Sequence, residues 1–230
     1  MEPASQSEAE AARAELQHFV YAASHDLQEP LRAIVAYAQL LERHLSGDEK
    51  AREYIGFIVG GASRMSALLK DLLTFSRAGS GERRQIVNSN VAAQAALLKL
   101  APKIKELSAE VKRESLPEVY ADESELTWLF EQLIGNALRF GRGGRPAITV
   151  RAEQGNGEYV FSVADNGPGI ESAFHEEVFL PFKRLQGKDV AGSGLGLAIS
   201  SKIVRAHGGR IWVESDGKTG TTVKFTLPDG

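Results

Sequence analysis

The stretch SHDLQEP, residues 24–30, lies inside a long amphipathic pattern. Apolar residues recur every three or four positions from Leu16 to Leu45, which predicts one helix from about residue 8 to residue 45. After a turn at 46–48, an unbroken three-four spacing from Ile55 to Leu72 predicts a second helix from about 49 to 77. Two helices joined by a short turn form an antiparallel hairpin.

Both predicted helices carry an apolar stripe that has to be buried. A lone hairpin cannot bury two such stripes well, whereas two hairpins from two chains can do so as a four-helix bundle. We therefore expect a homodimer. The alternative is a hairpin that packs on the second domain of its own chain.

The pattern changes after residue 78, where glycine and serine at 79–81 indicate a linker. Helical and strand-like stretches then follow without regular alternation, which favours an α+β sandwich over a doubly wound sheet. We predict a hairpin domain at 1–78, a linker at 79–84 and an α/β sandwich at 85–230. The expected helices are 89–101, 122–140 and one ending at 207; the expected strands are 147–153, 158–164, 210–215 and 221–227.

The composition excludes several classes of protein. Hydrophobic residues make up 43% of the 230 residues, which is enough for a core, and the net charge of −3 gives no general attraction to nucleic acid. No apolar run reaches the roughly 18 residues that span a bilayer. The chain has no cysteine, which excludes disulfides and thiolate sites and fits a cytoplasmic location.

His25 and Asp26 are the first candidate catalytic pair. His25 lies two positions from both Ala23 and Leu27, so we expect it to project off the apolar stripe into solvent, where its imidazole is available as a nucleophile. The adjacent Asp26 carboxylate is suited to accept the proton released on attack. The alternative is an ordinary histidine on a polar helix face.

A second group of candidates lies downstream. The amide of Asn136, on a predicted helix, suits Mg²⁺, and Arg139 is expected on nearly the same face. In DNGPG, residues 165–169, the carboxylate of Asp165 follows a strand and can accept a hydrogen bond from an exocyclic amino group, as adenine offers. The alternatives are a buried capping asparagine and a plain tight turn.

GSGLGL, residues 192–197, opens a predicted helix, so its backbone N–H groups and the helix dipole favour a phosphate group. It is not the dinucleotide fingerprint, which requires glycine where Leu197 stands. FLPFKR, residues 179–184, is expected to form a lid in which Lys183 or Arg184 reaches the terminal phosphate. Phe179 and Phe182 covering a small core is the alternative.

In this order, the motifs resemble those of sensor histidine kinases of two-component systems, over about residues 15–227. Ser24–Leu31 resembles the phospho-acceptor motif, most similar to that of phytochrome-linked kinases. The first and second ATP motifs of the family resemble Gln132–Phe140 and Asp165–Gly169. The aromatic lid motif resembles Phe179–Phe182, the glycine-rich motif resembles Gly192–Gly196, and Gly220–Thr221 matches the last motif. The resemblance implies the sandwich shared with gyrase-type ATPases and Hsp90-type chaperones.

The function implied is ATP-dependent phosphorylation of His25, with Asp26 as general base, followed by transfer to an aspartate of a response regulator. ATP and Mg²⁺ are the implied cofactors, with Asn136 as the magnesium ligand and Arg139 and Arg184 neutralising charge. An upstream sensor domain or protein is the implied source of input. The residues expected to bind the nucleotide are Asn136, Arg139, Phe140, Asp165, Gly167, Gly169, Lys183, Arg184, Gly192, Ser193, Gly194, Leu195, Gly196 and Thr221.

Two positions depart from the family pattern. The first ATP motif usually begins with asparagine, where this chain has Gln132. Many relatives carry threonine or asparagine four residues after the acceptor, where this chain has Glu29, so phosphatase activity toward the partner is not expected by that route. The rival functions are an ATPase or chaperone using the same pocket, and a phosphotransfer scaffold that has lost nucleotide binding.

Overall fold

The computed structural model describes residues 27–45, 47–79, 83–141, 145–185 and 193–229. His25, Asp26 and Gly192 therefore lie outside the described residues. The chain divides into two compact units, Met1–Arg77 and Ala78–Gly230.

The first unit is a helical hairpin, as predicted. Helix α1 is described over 27–44, and helix α2 is Glu49–Arg77. The side chain of Asp48 starts α2, because its Oδ1 accepts the backbone N–H groups of Lys50 (3.0 Å) and Ala51 (3.1 Å).

Each helix of the hairpin buries one heptad row. On α1, Leu31 and Ala38 are 6% and 4% exposed; on α2, Ile55 and Ala62 are 5% and 2% exposed. In both pairs the residues are seven positions apart, so they lie on one face of their helix. These rows form the interior of the hairpin.

A second heptad row on each helix stays exposed. On α1, Ile34 is 44% and Leu41 is 53% exposed; on α2, Ile58 is 47% and Met65 is 48% exposed. Larger apolar side chains lie beside them, namely Tyr37, Leu40, Leu45, Tyr54, Phe57 and Leu68. The described part of the hairpin thus exposes many large apolar side chains on both helices.

The second unit is a two-layer α/β sandwich. Its helices are α3 (Ser89–Glu106), α4 (Glu123–Phe140) and α5 (Gly196–Ala206). Its strands are β1 (Gln85–Asn88), β2 (Glu110–Arg113), β3 (Glu118–Ala121), β4 (Ala147–Gln154), β5 (Glu158–Asp165), β6 (Ile211–Glu214) and β7 (Thr222–Pro228). Five of these strands form a sheet of order β2-β4-β5-β7-β6, in which only the pair β2 and β4 is parallel, and β1 pairs with β3 in a small separate sheet.

The helices and the main sheet share one apolar core. Its centre is an aromatic triad in which the rings of Phe161 and Phe225 stack with centroids 4.9 Å apart. Phe130 of α4 meets both rings edge-on, at 6.1 Å and 6.0 Å. All three rings are fully buried. This contact fixes α4 against the centre of the sheet and so sets the position of every polar residue on the opposite face of α4.

The four predicted strands and three predicted helices of this unit are confirmed. Three strands were not predicted: β1, β2 and β3 have four residues each, which is too short to show a repeating pattern. No described helix is long and apolar enough to cross a membrane.

The first residue of the predicted linker is anchored. The N–H of Gly79 donates to Glu125 Oε1 of α4 at 2.6 Å, and a Cβ at Gly79 would lie 2.8 Å from the Cβ of Ala206. At the far end, Arg84 Nη2 donates to the carbonyl of Ala206 at 2.5 Å. Gly79 and Arg84 are therefore held by the second unit on the side where α5 ends.

Candidate functional site

The carboxylate of Asp165 lies at the end of the central strand β5 and is held by two backbone donors. Its Oδ1 accepts the N–H of Gly167 at 2.7 Å and the N–H of Thr221 at 3.2 Å. Burial raises the pKa of Asp165, and these two hydrogen bonds partly offset that rise. Within the described residues, Oδ2 has no hydrogen bond, so it is available to an external donor.

Backbone crowding around Asp165 leaves no room for side chains. A Cβ at Gly167 would lie 2.7 Å from both Asp165 Oδ1 and the carbonyl oxygen of Phe140. A Cβ at Gly220 would lie 2.1 Å from the carbonyl oxygen of Asp165. The end of α4, the loop after β5 and the turn before β7 therefore converge on this carboxylate, and glycine is required where they meet.

Helix α4 presents a polar face beside this point. Gln132 and Asn136 are one turn apart and partly exposed, while Leu133 and Ala137 are buried. A Cβ at Gly196 would lie 2.8 Å from Gln132 Oε1, which brings the polar face of α4 against the first residue of α5.

The same end of α4 is positively charged. Desolvation and the charge of Arg139 lower the pKa of Lys103 on α3, the nearby Glu106 opposing them. Arg139 is exposed, and its guanidinium carbon lies 6.0 Å from the ring centroid of Phe140. Lys103 and Arg139 thus lie near each other, with the Glu106 carboxylate close to Lys103.

The glycine motif runs into the N-terminus of α5, as expected. The N–H of Leu195 donates to Ser193 Oγ at 3.1 Å, and the Leu195 side chain is 1% exposed, which anchors the motif in the core. Gly194 has φ +75°, which favours glycine. The backbone N–H groups in the first turn of α5 have no partner within the helix and are available to phosphate.

The predicted lid contacts the glycine motif directly. The N–H of Phe182 donates to the carbonyl of Gly194 at 3.0 Å, and a Cβ at Gly194 would lie 3.2 Å from Arg184 Cγ. Phe179 packs against the core, whereas Phe182 is 60% exposed. Phe179 is thus an anchor, and Phe182 is a solvent-exposed side chain of the lid.

Lys183 points elsewhere. Its ammonium group forms an ion pair with Glu177 of the same segment and lies 6.0 Å from the ring centroid of Phe174. Of the two lid cations, the structure places Arg184 beside the glycine motif and Lys183 against its own segment.

Contacts join Asp165, Gly167 and Thr221 near the end of α4, and separately join Gly194 of the glycine motif with Arg184. The contact of Gln132 with Gly196, and Lys103 beside Arg139, were not predicted. The spacing of Gln132 four residues before Asn136 was the available signal for the first of these. No sequence signal indicated that Lys103 lies near Arg139, because Lys103 belongs to another helix.

The donor set fits a magnesium ion held mainly by phosphates. The described residues contain no group of three acidic or imidazole side chains that would form a metal cage. Mg²⁺ usually binds through one or two protein oxygens, together with phosphate oxygens and water. The partly exposed amide of Asn136 lies one turn after Gln132, which faces Gly196, and it offers one such oxygen.

Fold and site together define a nucleotide-binding α/β sandwich linked to a helical hairpin, and comparison with known proteins identifies both parts. Residues 121–230 match the family described as histidine kinase-, DNA gyrase B-, and HSP90-like ATPase. Residues 15–81 match the His kinase A (phospho-acceptor) domain.

Curated relatives include phytochromes, as the acceptor motif predicted. Cyanobacterial phytochrome A of Nostoc sp. is 42% identical over 225 residues, covering 96% of this chain and 29% of that protein. Phytochrome-like protein Cph1 of Synechocystis sp. is 39% identical over 226 residues, covering 96% of this chain and 30% of that protein. The chain spans less than a third of these relatives.

A solved structure similar to this chain is full-length ShkA in complex with AMPPNP. It has a TM-score of 0.69 and 29% identity, and the similarity covers 92% of this chain and 45% of ShkA. The chain belongs to the sensor histidine kinases, with a phospho-acceptor hairpin followed by the ATP-binding domain.

We predict that replacing the Asp165 carboxylate raises the stability of the protein near neutral pH and lowers its affinity for ATP. The folded protein holds the proton of Asp165 more tightly than the unfolded chain, so stability is lost as pH rises through the raised pKa. We expect Asp165→Asn to be more stable than wild type near neutral pH, with the difference shrinking at acidic pH. ATP affinity should fall about tenfold or more, because the acceptor for the adenine amino group is replaced.

Denaturant unfolding followed by tryptophan fluorescence measures the stability difference, since both tryptophans, Trp128 and Trp212, lie in the second unit. Asp216→Asn is the control, because hydrogen bonds from the Thr219 side chain and neighbouring backbone lower the pKa of Asp216 to about 2. That variant should lose stability near neutral pH. An Asp165→Asn protein that keeps wild-type ATP affinity would contradict the assignment.

Proposed function

We propose that this chain transfers the γ-phosphoryl group of ATP to His25 and then to an aspartate of a separate response regulator. One observation carries the proposal: a phospho-acceptor hairpin and an ATP-binding domain with an available Asp165 carboxylate occur in one chain. Because the chain spans less than a third of its curated relatives, the input from an upstream sensor domain or protein remains part of the proposal.

In the first step, an imidazole nitrogen of His25 attacks the γ-phosphorus. A nitrogen–phosphorus bond forms, the bond from that phosphorus to the bridging oxygen breaks, and ADP leaves with the electron pair. Asp26 accepts the imidazole proton. In the second step a carboxylate oxygen of the partner attacks the same phosphorus, the nitrogen–phosphorus bond breaks with its electron pair returning to the ring nitrogen, and the imidazole of His25 takes back a proton. Histidine kinase ThkA, solved in complex with response regulator protein TrrA, is 24% identical to this chain and has the same fold, with a TM-score of 0.67.

The second unit positions the nucleotide for this step. Asp165 accepts the adenine amino group, the glycine motif and the first turn of α5 hold the phosphates, and Arg139 and Arg184 neutralise charge. The oxygen of Asn136 would hold Mg²⁺, which supplies further charge neutralisation when bound. Lys183 neutralises phosphate charge as well, once its ammonium group leaves the ion pair with Glu177.

We further propose the domain bounds 1–78 and 85–230. We also propose a cytoplasmic location, which the absence of cysteine supports.

Incubation with γ-labelled ATP and Mg²⁺ tests the acceptor. Wild type should take up acid-labile, base-stable label, and His25→Ala should take up none, because no other residue is proposed to accept the phosphoryl group. His44→Ala is the matched control, since His44 is an exposed histidine of α1 and its removal should leave labelling unchanged.

Label that persists in His25→Ala would overturn the proposed acceptor. ATP hydrolysis without any label, unaffected by the substitution, would favour the ATPase function. Absence of nucleotide binding would favour the phosphotransfer scaffold.

We also propose that the hairpin forms a homodimer. The exposed rows Ile34/Leu41 and Ile58/Met65 lie on both helices of one hairpin and share the seven-residue spacing of the buried rows. Pairing with the same rows of a second chain removes this apolar surface from water and completes a four-helix bundle.

Sedimentation measures the dimer. Wild type should sediment at twice the chain mass, and Ile58→Lys should shift to the monomer, because a charge in the bundle interior is costly. Glu53→Lys places the same charge at an exposed polar position of the same helix and should remain dimeric. A monomeric wild type, or an Ile58→Lys variant that stays dimeric, would contradict this interface.

A further inference from the structure

Ser215 joins the two backbone segments that hold Asp165. It follows β6, and its hydroxyl donates to the carbonyl of Gly220 at 2.6 Å. The same oxygen accepts the N–H of Ile170 at 2.9 Å and the N–H of Gly217 at 3.2 Å. One donor and two acceptor sites are all that a hydroxyl has, so Ser215 is fully used.

Two of the three partners of this hydroxyl, Gly220 and Ile170, belong to the backbone segments that hold the Asp165 carboxylate. Gly220 precedes Thr221, whose N–H donates to Asp165 Oδ1 at 3.2 Å and whose carbonyl accepts the N–H of Asp165 at 2.8 Å. Ile170 ends the loop that begins with Gly167, the second donor to Oδ1. Ser215 therefore connects the two sides of the carboxylate clamp.

The surrounding packing leaves this connection little freedom. A Cβ at Gly169 would lie 2.6 Å from the N of Lys218, so the loop after β5 lies directly on the turn at 216–219. The carbonyl of Ile170 is bonded at 2.9 Å by Nε2 of His175. The N–H and the carbonyl of Ile170 are thus both fixed, one of them by Ser215.

We propose that Ser215 is a positioning residue for base recognition: its hydroxyl sets the place of Thr221 and of the Gly167–Ile170 loop, and through them the direction of the Asp165 carboxylate. This rests on the proposed role of Asp165 in binding adenine. Ser215 does not touch the nucleotide, and it acts on affinity and base selectivity instead of on the transfer step.

The test compares isosteric substitutions in the full chain by titration calorimetry with ATP and with GTP. Ser215→Val lacks the hydroxyl and leaves the N–H groups of Ile170 and Gly217 without their acceptor. Its Kd for ATP should rise about tenfold, and its preference for ATP over GTP should fall. Ser215→Thr has the same shape as valine but keeps the hydroxyl, so it should stay within about twofold of wild type on both measures. At saturating ATP, the labelling rate of Ser215→Val should match wild type.

Thr219→Ala is the control, because Thr219 lies in the same turn and its side chain bonds Asp216 only among the described contacts. It should bind ATP as wild type does. Three results would overturn the inference: a wild-type Kd in Ser215→Val, a Ser215→Thr variant as weak as or less folded than Ser215→Val, or an equal loss in Thr219→Ala. A wild type that binds ATP without forming phosphohistidine would overturn the proposed function alone, because the binding comparison does not depend on transfer.

Discussion

The second unit depends on one constraint, which is the need to keep a desolvated carboxylate in place at the end of its central strand. Asp165 is held by N–H groups of Gly167 and Thr221, which come from two separate loops. Burial disfavours the charged form of Asp165. Keeping this carboxylate away from water therefore lowers the stability of the protein near neutral pH. The glycines at 167 and 220 follow from this, because only glycine lets both loops approach so closely.

The two units solve the burial of apolar residues in different ways. The sandwich closes a core of its own around Phe130, Phe161 and Phe225. The hairpin buries only half of its heptad rows and leaves Ile58 and Met65 of α2 on the surface. One unit is thus complete as a single chain, while the other presents a surface suited to a second copy. Nucleotide binding is assigned to the sandwich, and dimer assembly is proposed for the hairpin.

Long elements and glycine motifs could be predicted from the sequence because their signals are local. The three-four spacing predicted both hairpin helices, and the strand-like runs at 147–153 and 158–164 predicted the central strands. Strands β1, β2 and β3 could not be predicted in the same way, since four residues hold too few repeats and their pairing partners lie far along the chain. Helix bounds were less accurate, as α3 continues to Glu106 through Pro102.

The residues of the candidate site also differ in whether the local sequence predicts them. Asp165, Asn136 and the glycines lie in motifs with a local chemical meaning. Ser215 lies in an ordinary turn, and only the fold brings its hydroxyl to Ile170 and Gly220.

The most direct test of the central claim is a crystal structure of the full chain with a non-hydrolysable ATP analogue. We predict that Asp165 Oδ2 accepts the exocyclic amino group of adenine, while Oδ1 keeps its bonds to Gly167 and Thr221. A base bound away from Asp165, or a carboxylate that turns and loses both backbone donors, would contradict the account.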